Sequence, residues 1–287
     1  MIWRQRLTRF WFPVYRLVER LLWSPSPEAF RIACLHNVLK SQEARLERLL
    51  QYLLDRHGII TPEEAEDRLK GKAQPRVSGQ VPYLLTFDDG FKTQATLVAP
   101  ILNKYGVKAI FFICPGLMDL PSDRQREAIA SYIFDSNRQI EDINDDMTLM
   151  SWSDVESLVR SGYTIGSHSL FHRRLSSLSA ADLHQEITTA AGLIESQFGI
   201  TVRWFAPPFG DSKSIDSQSF GAIGRQFQFS CTTVRGLNTS ATPPLKLLRE
   251  GINLQDPFDY QQMVLAGGLD LLYLRKVREL AKLAAAL

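Results

Sequence analysis

The chain has 287 residues, of which 45% are hydrophobic, and a formal net charge of +2. This length suits one α/β domain with terminal additions, and the near-neutral charge gives no domain-wide basic excess, so nucleic-acid binding is not expected. The three cysteines, Cys34, Cys114 and Cys231, are an odd number, and two of them lie in apolar runs. We therefore expect buried thiols, not disulfides or a cysteine metal site.

The first 23 residues form a basic and aromatic segment. Five arginines and one glutamate give it a net charge of +4, and tryptophan, phenylalanine and leucine lie between them. The charges interrupt every apolar run, which argues against a signal peptide and a transmembrane helix. We predict an amphipathic helix over residues 1–28 that contacts a membrane surface peripherally, in a cytoplasmic protein at the inner face of the membrane. The alternative is a helix that caps the domain or an oligomer face.

The remainder of the chain alternates strand-like and helical patterns. The strand-like runs lie near Arg31 to Leu35, Val81 to Phe87, Lys108 to Ile113, Tyr163 to Ser167, Val202 to Ala206, Gln228 to Thr233 and Leu247 to Ile252. Such alternation predicts βα units around a parallel sheet. We assign residues 29–268 to this domain and residues 269–287 to a C-terminal helix. A helix is also predicted from Ser122 to Phe134, followed by an acidic stretch to Asp146 that we interpret as a solvated loop or lid.

The string from Thr86 to Gly90 contains two adjacent acids. It follows an apolar run that is too short for a helix, so Asp88 and Asp89 would project from the carboxyl end of a buried strand, where α/β folds place their chemistry. Two free neighbouring carboxylates would repel each other. We therefore assign Asp89 to a metal and Asp88 to the role of a base. The alternative is that Asp-Asp-Gly is a simple turn.

The second string, from Ser167 to His172, holds two of the five histidines of the chain. His168 and His172 are four residues apart, which puts both imidazoles on one side of a helical turn or of a short loop. With Asp89 they would form a metal site with two histidines and one carboxylate. Such a site leaves positions open for water and a substrate oxygen, as in hydrolytic metal centres. A histidine pair at this spacing can also be a surface coincidence.

These strings resemble motifs of the polysaccharide deacetylase family, the metal-dependent carbohydrate esterases that remove N-acetyl groups from amino-sugar polymers. Thr86-Phe-Asp-Asp-Gly90, His168-Ser-Leu-Phe-His172 and Phe205-Ala-Pro-Pro-Phe-Gly210 are similar to its first three motifs. The resemblance implies a distorted (β/α)7-type barrel, with the N-terminal helix and a C-terminal helical extension added to it. It also implies one divalent metal, zinc or alternatively nickel or cobalt, and a backbone N–H at Phe209 as donor to the oxyanion.

Two departures from the family pattern concern the base and the acid. Ala206 stands where the third motif often has an arginine that orients the base, so another residue or a water must hold Asp88. A late Leu-x-x-His motif, whose histidine is the acid, is absent from residues 245–254. Cys34-Leu-His-Asn-Val38 resembles the opening of the biofilm poly-N-acetylglucosamine deacetylases, a branch that also has alanine in the third motif. His36 is therefore the candidate acid, and the alternative is a core histidine.

The substrate would be an amino-sugar glycan or a lipid-linked sugar precursor. Trp152, Phe171 and Pro208 are our candidates for substrate binding, since aromatic faces suit pyranose rings and a proline fixes its loop. The alternatives are that the two aromatic residues belong to the core and that the proline only ends a strand in a turn. The predicted function is metal-dependent N-deacetylation. An O-acetyl esterase and a noncatalytic glycan-binding protein are the alternatives, and the latter predicts that His36 lies far from His168 and His172.

Overall fold

The computed structural model describes residues 25–72 and 80–284, and a seven-stranded parallel sheet forms its centre. The strands are β1 (Arg31–Leu35), β2 (Tyr83–Phe87), β3 (Ala109–Ile113), β4 (Thr164–Ser167), β5 (Trp204–Phe205), β6 (Phe229–Ser230) and β7 (Glu250–Gly251). Their order in the sheet is β6-β5-β4-β3-β2-β1-β7. Every predicted strand is thus confirmed, although β5, β6 and β7 are shorter than their sequence patterns.

The apolar strands form because both faces of the sheet are covered. All five residues of each of β1, β2 and β3 are buried, as expected for parallel strands with helices on the outer face and the packed interior of a barrel on the other. An isolated parallel bridge between Cys231 and Leu247 connects the end of β6 to the segment that leads into β7. The sheet therefore curls on itself, and the predicted distorted (β/α)7-type barrel is confirmed.

Helices pack around this sheet. In the described ranges they are α1 (Glu43–Arg56), α2 (Pro62–Leu69), α3 (Ala99–Lys104), α4 (Pro115–Met118), α5 (Ser122–Ala128), α6 (Trp152–Arg160), α7 (Ala180–His184), α8 (Ala190–Phe198), α9 (Ser217–Gln226), α10 (Phe258–Leu265) and α11 (Asp270–Ala284). Three π-helical turns adjoin them, at Gln94–Val98, Ile129–Ile133 and Gln185–Thr189. Short 3₁₀ turns occur at Lys40–Gln42, Ile140–Asp142, Asp145–Met147, Leu175–Ser177 and Pro244–Lys246. The helix predicted from Ser122 is present as α5 and its π-helical continuation.

The two predicted terminal helices differ in outcome. Residues 1–24, which hold most of the predicted N-terminal amphipathic helix, lie outside the described residues. The predicted C-terminal helix is present as α11, and Asp270 at its start accepts hydrogen bonds from Arg31 at the start of β1. None of the helices in the described ranges has the length and hydropathy that a membrane span requires. The three cysteines are free and buried, as expected.

Candidate active site

A cavity of about 690 Å³ opens at the carboxyl ends of the strands. Its wall contains residues that follow β1, β2, β4, β5, β6 and β7 in the chain. They include His36, Asn37, Asp88, Asp89, His168, His172, Pro207, Phe209, Thr233, Asn253 and Gln255. The barrel thus brings the predicted base, acid, oxyanion donor and metal ligands to one place, although they are far apart in the sequence.

Asp88 is buried and held by two donors. Arg249 Nη1 donates to its Oδ1 at 2.7 Å, and the Cys34 thiol donates to its Oδ2 at 3.4 Å. Burial alone would raise the pKa of Asp88, but the Arg249 charge and the neighbouring imidazoles lower it well below its usual range. The carboxylate is therefore ionised and oriented, as a general base requires.

Arg249 holds Asp88 in place of the missing third-motif arginine, a role that was not predicted from the sequence. It is nearly inaccessible to solvent, and its Nε donates to the Thr232 carbonyl at 2.9 Å. A signal was present, because Arg249 and Glu250 are adjacent charges within a strand-like apolar run. Buried charges in such a run need partners. Arg249 pairs with Asp88, and Glu250 pairs with Arg31 and Arg235.

The second predicted group, Asp89, His168 and His172, forms a compact buried set. Asp89 Oδ1 lies 3.4 Å from His168 Nε2 and 3.6 Å from His172 Nε2, and the donor atoms of the three residues lie within 4.8 Å of one another. Two imidazole nitrogens and one carboxylate oxygen are a donor set that suits divalent zinc, nickel or cobalt. These three residues can therefore hold a metal.

Backbone carbonyls orient both imidazoles. His168 Nδ1 donates to the Ala206 carbonyl at 2.5 Å, and His172 Nδ1 donates to the Tyr132 carbonyl at 2.8 Å. Because a carbonyl only accepts, each Nδ1 must carry a proton, and in the neutral form of each ring the lone pair is on Nε2, the nitrogen nearer Asp89. Burial, aided by the nearby His168 charge, lowers the pKa of His172 to about 4, so this imidazole is neutral. A neutral imidazole with a fixed tautomer, as at His172, fits metal binding.

The pKa values of the other two members of this set move in opposite directions. For His168, burial lowers the pKa, but its hydrogen bond to Asp89 and the adjacent carboxylates raise it above the usual value. For Asp89, burial raises the pKa, and the hydrogen bond from His168 with the nearby imidazoles lowers it. The negative charge on Asp89 is thus stabilised by its histidine partners, as a cation would also stabilise it.

Left-handed backbone conformations cluster at the site. Asp89, Ser169, His172 and Phe209 have φ angles of 76°, 67°, 58° and 62°, which are unusual for residues other than glycine. At Asp89 the turn directly after β2 lets two successive carboxylates reach the same cavity. Such conformations persist only where surrounding contacts enforce them.

The three π-helical turns supply many of those contacts. Gln94 Nε2 donates to the Asp88 carbonyl at 2.5 Å, and Tyr132 provides the carbonyl that binds His172. Glu186 accepts hydrogen bonds from the backbone N–H groups of Leu170 and Phe171. Wide turns of this kind are frequent at functional sites, since they turn one residue out of the helical register. Here each of them fixes a loop that bears a site residue.

His36 directly follows β1 and is exposed, so it is not the core histidine of the alternative interpretation. One of its ring nitrogens lies within 4.8 Å of both the Cys34 sulfur and an Asp88 oxygen, and His36 lines the same cavity as His168 and His172. The alternative of a noncatalytic protein predicts that His36 lies far from His168 and His172, and their shared cavity does not agree with that prediction. Burial raises the pKa of the Cys34 thiol well above its usual value, which disfavours the thiolate that a second metal site at this cluster would need.

Phe209 lies in the loop after β5, and its ring contacts His172 at 4.9 Å between centroids. The Thr233 hydroxyl donates to the Phe209 carbonyl, and the Thr233 amide donates to the Gly210 carbonyl. The Phe209 N–H itself has no hydrogen-bond partner among the described residues. It is available to a substrate oxygen.

The three predicted substrate-binding residues are not brought to the cavity. Trp152 begins α6, where its indole Nε1 donates to Asp119 and its ring packs against Phe198. Phe171 and Pro208 also lie outside the cavity wall. Aromatic residues were predicted to line a sugar-binding groove, but most of those in the cavity wall are not the predicted ones. The cavity is lined instead by Phe91, Phe134, Pro207 and Phe209.

Known proteins share parts of this sequence and most of this fold. A bifunctional xylanase/deacetylase of Pseudobutyrivibrio xylanivorans is 26% identical over 125 residues, which are 44% of this chain but only 16% of that protein. The Streptococcus pyogenes deacetylase PplD, solved in complex with acetate, aligns with a TM-score of 0.64 and 18% identity, over 83% of this chain and 99% of that one. IcaB from Ammonifex degensii aligns with a TM-score of 0.62 and 21% identity, over 83% and 96% of the two chains. At these identities the structural similarities establish the fold.

The family follows from a more specific match. Residues 78–225, slightly more than half of the chain, match the family model described as polysaccharide deacetylase. That range includes Asp88, Asp89, His168 and His172, whereas His36 and Arg249 lie on either side of it. The pairing of β1 with both β2 and β7 brings these two residues close to Asp88. The match and the geometry agree, and the chain belongs to the polysaccharide deacetylase family.

Proposed function

We propose that this protein is a metal-dependent N-deacetylase that acts on an amino-sugar glycan or a lipid-linked sugar precursor. Membership of the deacetylase family supports the general reaction. The observation that carries the proposal is the arrangement around Asp88. Arg249 holds it ionised, His168 of the metal-ligand set lies 4.0 Å from its Oδ2, and a ring nitrogen of His36 lies within 4.8 Å of one of its oxygens. A base, a candidate acid and a metal-binding set thus share one cavity.

A divalent metal held by Asp89, His168 and His172, which we propose is zinc with nickel or cobalt as alternatives, would polarise the acetyl carbonyl and acidify a nearby water. Asp88 would take the proton from the attacking water. Its Oδ1 is occupied by Arg249, whereas Oδ2 lies 4.0 Å from His168 Nε2 and therefore faces the ligand set. A positioned base of this kind contributes about 10²- to 10⁴-fold to a rate.

The Phe209 N–H would donate to the carbonyl oxygen as negative charge develops on it. Loss of one such donor typically costs about 2.7–4 kcal/mol of transition-state stabilisation. His36 would donate a proton to the departing nitrogen as the carbon–nitrogen bond breaks. The hydroxyl of water thus goes to the acetyl carbon, and its hydrogen goes by way of these groups to the amine, giving acetate and a free amino sugar.

The presence of an acid candidate favours an amide as the substrate. An amine is a poor leaving group unless it is protonated, whereas the alcohol of an ester leaves more readily without a proton donor. Amide side chains from several loops and three phenylalanines line the cavity. The amides are those of Asn37, Gln42, Asn144, Asn253 and Gln255. Neutral hydrogen-bonding groups and aromatic faces suit an uncharged N-acetylated sugar.

The test is product analysis on matched substrates. Zinc-loaded protein would be incubated with an N-acetylglucosamine oligomer, its O-acetylated counterpart lacking N-acetyl groups, and a lipid-linked N-acetylated sugar. We expect equal amounts of acetate and free amine from an N-acetylated substrate, and little of either with Asp88→Asn. Acetate from the O-acetylated oligomer alone would identify an esterase. No acetate from any of the three substrates would favour a noncatalytic protein.

The location of the protein remains a proposal that rests on the N-terminal segment. We propose a cytoplasmic protein that lies peripherally on the inner face of the membrane, where it would meet a lipid-linked precursor. Fractionation of cells that express the full chain tests this. Recovery of the protein outside the cytoplasmic compartment would contradict it.

A further inference from the structure

Helix α11 packs on the barrel by one face and leaves leucines uncovered on the other. Leu280 is buried, and Val277 and Leu283 pack beside it against the cluster around Phe220. In contrast, Leu271, Leu272 and Leu274 are 75%, 65% and 47% exposed, the three highest values among large hydrophobic side chains in the described ranges. Single exposed leucines are ordinary, but three within four residues form a patch that calls for an explanation.

Basic side chains continue the same face of the helix. Arg275, Arg278 and Lys282 follow Leu271 by four, seven and eleven residues, a spacing that places them on its side of an α-helix. All three are exposed. Arg275 pairs with Glu279, whereas Arg278 and Lys282 have no carboxylate partner among the described residues. The exposed face therefore begins with leucines and continues with positive charge.

We propose that the exposed face of α11, which joins exposed leucines to positive charge, binds an anionic lipid surface. Leu271 and Leu274 enter the boundary between headgroups and acyl chains, and Arg275, Arg278 and Lys282 face the lipid phosphates. Apolar side chains flanked by arginine and lysine on a surface helix are the features that favour such binding. This inference does not depend on the proposed reaction, because it concerns a separate surface.

The test is cosedimentation of the full chain with vesicles of phosphatidylcholine, with and without phosphatidylglycerol. We expect binding only to the vesicles that contain phosphatidylglycerol, weakened by salt. The double variant Leu271→Gln/Leu274→Gln and the triple variant Arg275→Gln/Arg278→Gln/Lys282→Gln should each lower the partition coefficient by about tenfold or more. Acetate release from a soluble oligomer, where it is measurable, and thermal unfolding should not change.

Matched control variants test whether the effect is specific to this face or follows from the loss of any exposed leucine or positive charge. Leu193→Gln removes an exposed leucine from α8, and Lys72→Gln/Arg124→Gln/Arg225→Gln removes the same charge elsewhere on the surface. Both controls should bind vesicles like the unsubstituted protein. Equal loss in the controls, or unchanged binding in the α11 variants, would overturn the proposal. Loss of self-association by the α11 variants in sedimentation velocity, without a change in their vesicle binding, would also overturn the proposal. A second copy of the chain would then cover this face.

Discussion

Asp88 and Asp89 are identical residues in adjacent positions, yet they lie in opposite environments. Asp88 accepts from a guanidinium that comes from the segment before β7 and from a thiol of β1. Asp89 lies between two imidazoles that follow β4. A carboxylate beside a fixed cation is kept ionised and oriented, whereas one beside two imidazole rings can complete a cation site with them. The two carboxylates are therefore suited to different roles, base and metal ligand, because their neighbouring side chains differ.

The largest expected effect comes from removing the metal from the Asp89 side. Dialysis against a chelator should abolish acetate release, because the acetyl carbonyl and the attacking water would lose their polarising cation. Added zinc should restore the activity, with cobalt and nickel as comparisons. Metal content and acetate release would be measured on the same samples. Full turnover in protein shown to be free of metal would contradict the role of this set.

The second-largest loss of activity is expected from a substitution that changes Asp88 alone. Asp88→Asn removes the proton acceptor but keeps the shape of the side chain, so kcat should fall by about 10²- to 10⁴-fold. Asp142→Asn, which alters an exposed acid at the cavity wall, is the matched control and should retain most activity. Steady-state acetate release measures both variants. Equal rates for Asp88→Asn and the unsubstituted protein would exclude Asp88 as the base.

A smaller and more selective effect is expected from His36. His36→Gln should lower the rate on an N-acetyl sugar by about 10²-fold, because the amine then departs without a proton donor. On an aryl acetate, whose leaving group needs little protonation, the loss should be much smaller. His184→Gln, an exposed histidine outside the cavity wall, is the control. An equal loss on both substrates would show that His36 does not act as the acid.

The smallest expected fall in kcat is that of a substitution at Arg249. Arg249→Lys keeps the positive charge but loses the rigid fork that reaches Asp88, Thr86 and the Thr232 carbonyl, so kcat should fall by about tenfold. Arg235→Lys alters a second carboxylate-bound arginine, which pairs with Glu250 and does not line the cavity. Kinetics and thermal unfolding would be measured for both. A similar fall in kcat for Arg235→Lys would point to a general loss of stability.

The sequence predicted the elements whose signals are local. Each strand was marked by its apolar residues, and Asp88, Asp89, His168 and His172 were marked by residue type and spacing. The Tyr132 and Ala206 carbonyls that orient the imidazoles could not be predicted, because every residue has a carbonyl group. Arg249 was missed because its role depends on the order of the strands, in which β7 pairs with β1 next to β2, although Arg249 lies 161 residues from Asp88 in the chain.

The aromatic residues show the same limit. Trp152 was a reasonable candidate by type, but its position at the start of α6 gives its indole another partner in Asp119. Phe91 and Phe134 line the cavity with no motif around them to mark their position. Residue type indicates what a side chain can bind, and only the fold shows which cavity it faces.

The division of labour between the adjacent carboxylates is tested most directly by metal binding. Zinc titration calorimetry on metal-free Asp88→Asn and Asp89→Asn would be compared with the unsubstituted protein. We expect Asp88→Asn to bind one zinc ion with an affinity within about tenfold of the original, and Asp89→Asn to lose about 10²-fold or more. The opposite order, with zinc binding lost in Asp88→Asn and kept in Asp89→Asn, would contradict the account.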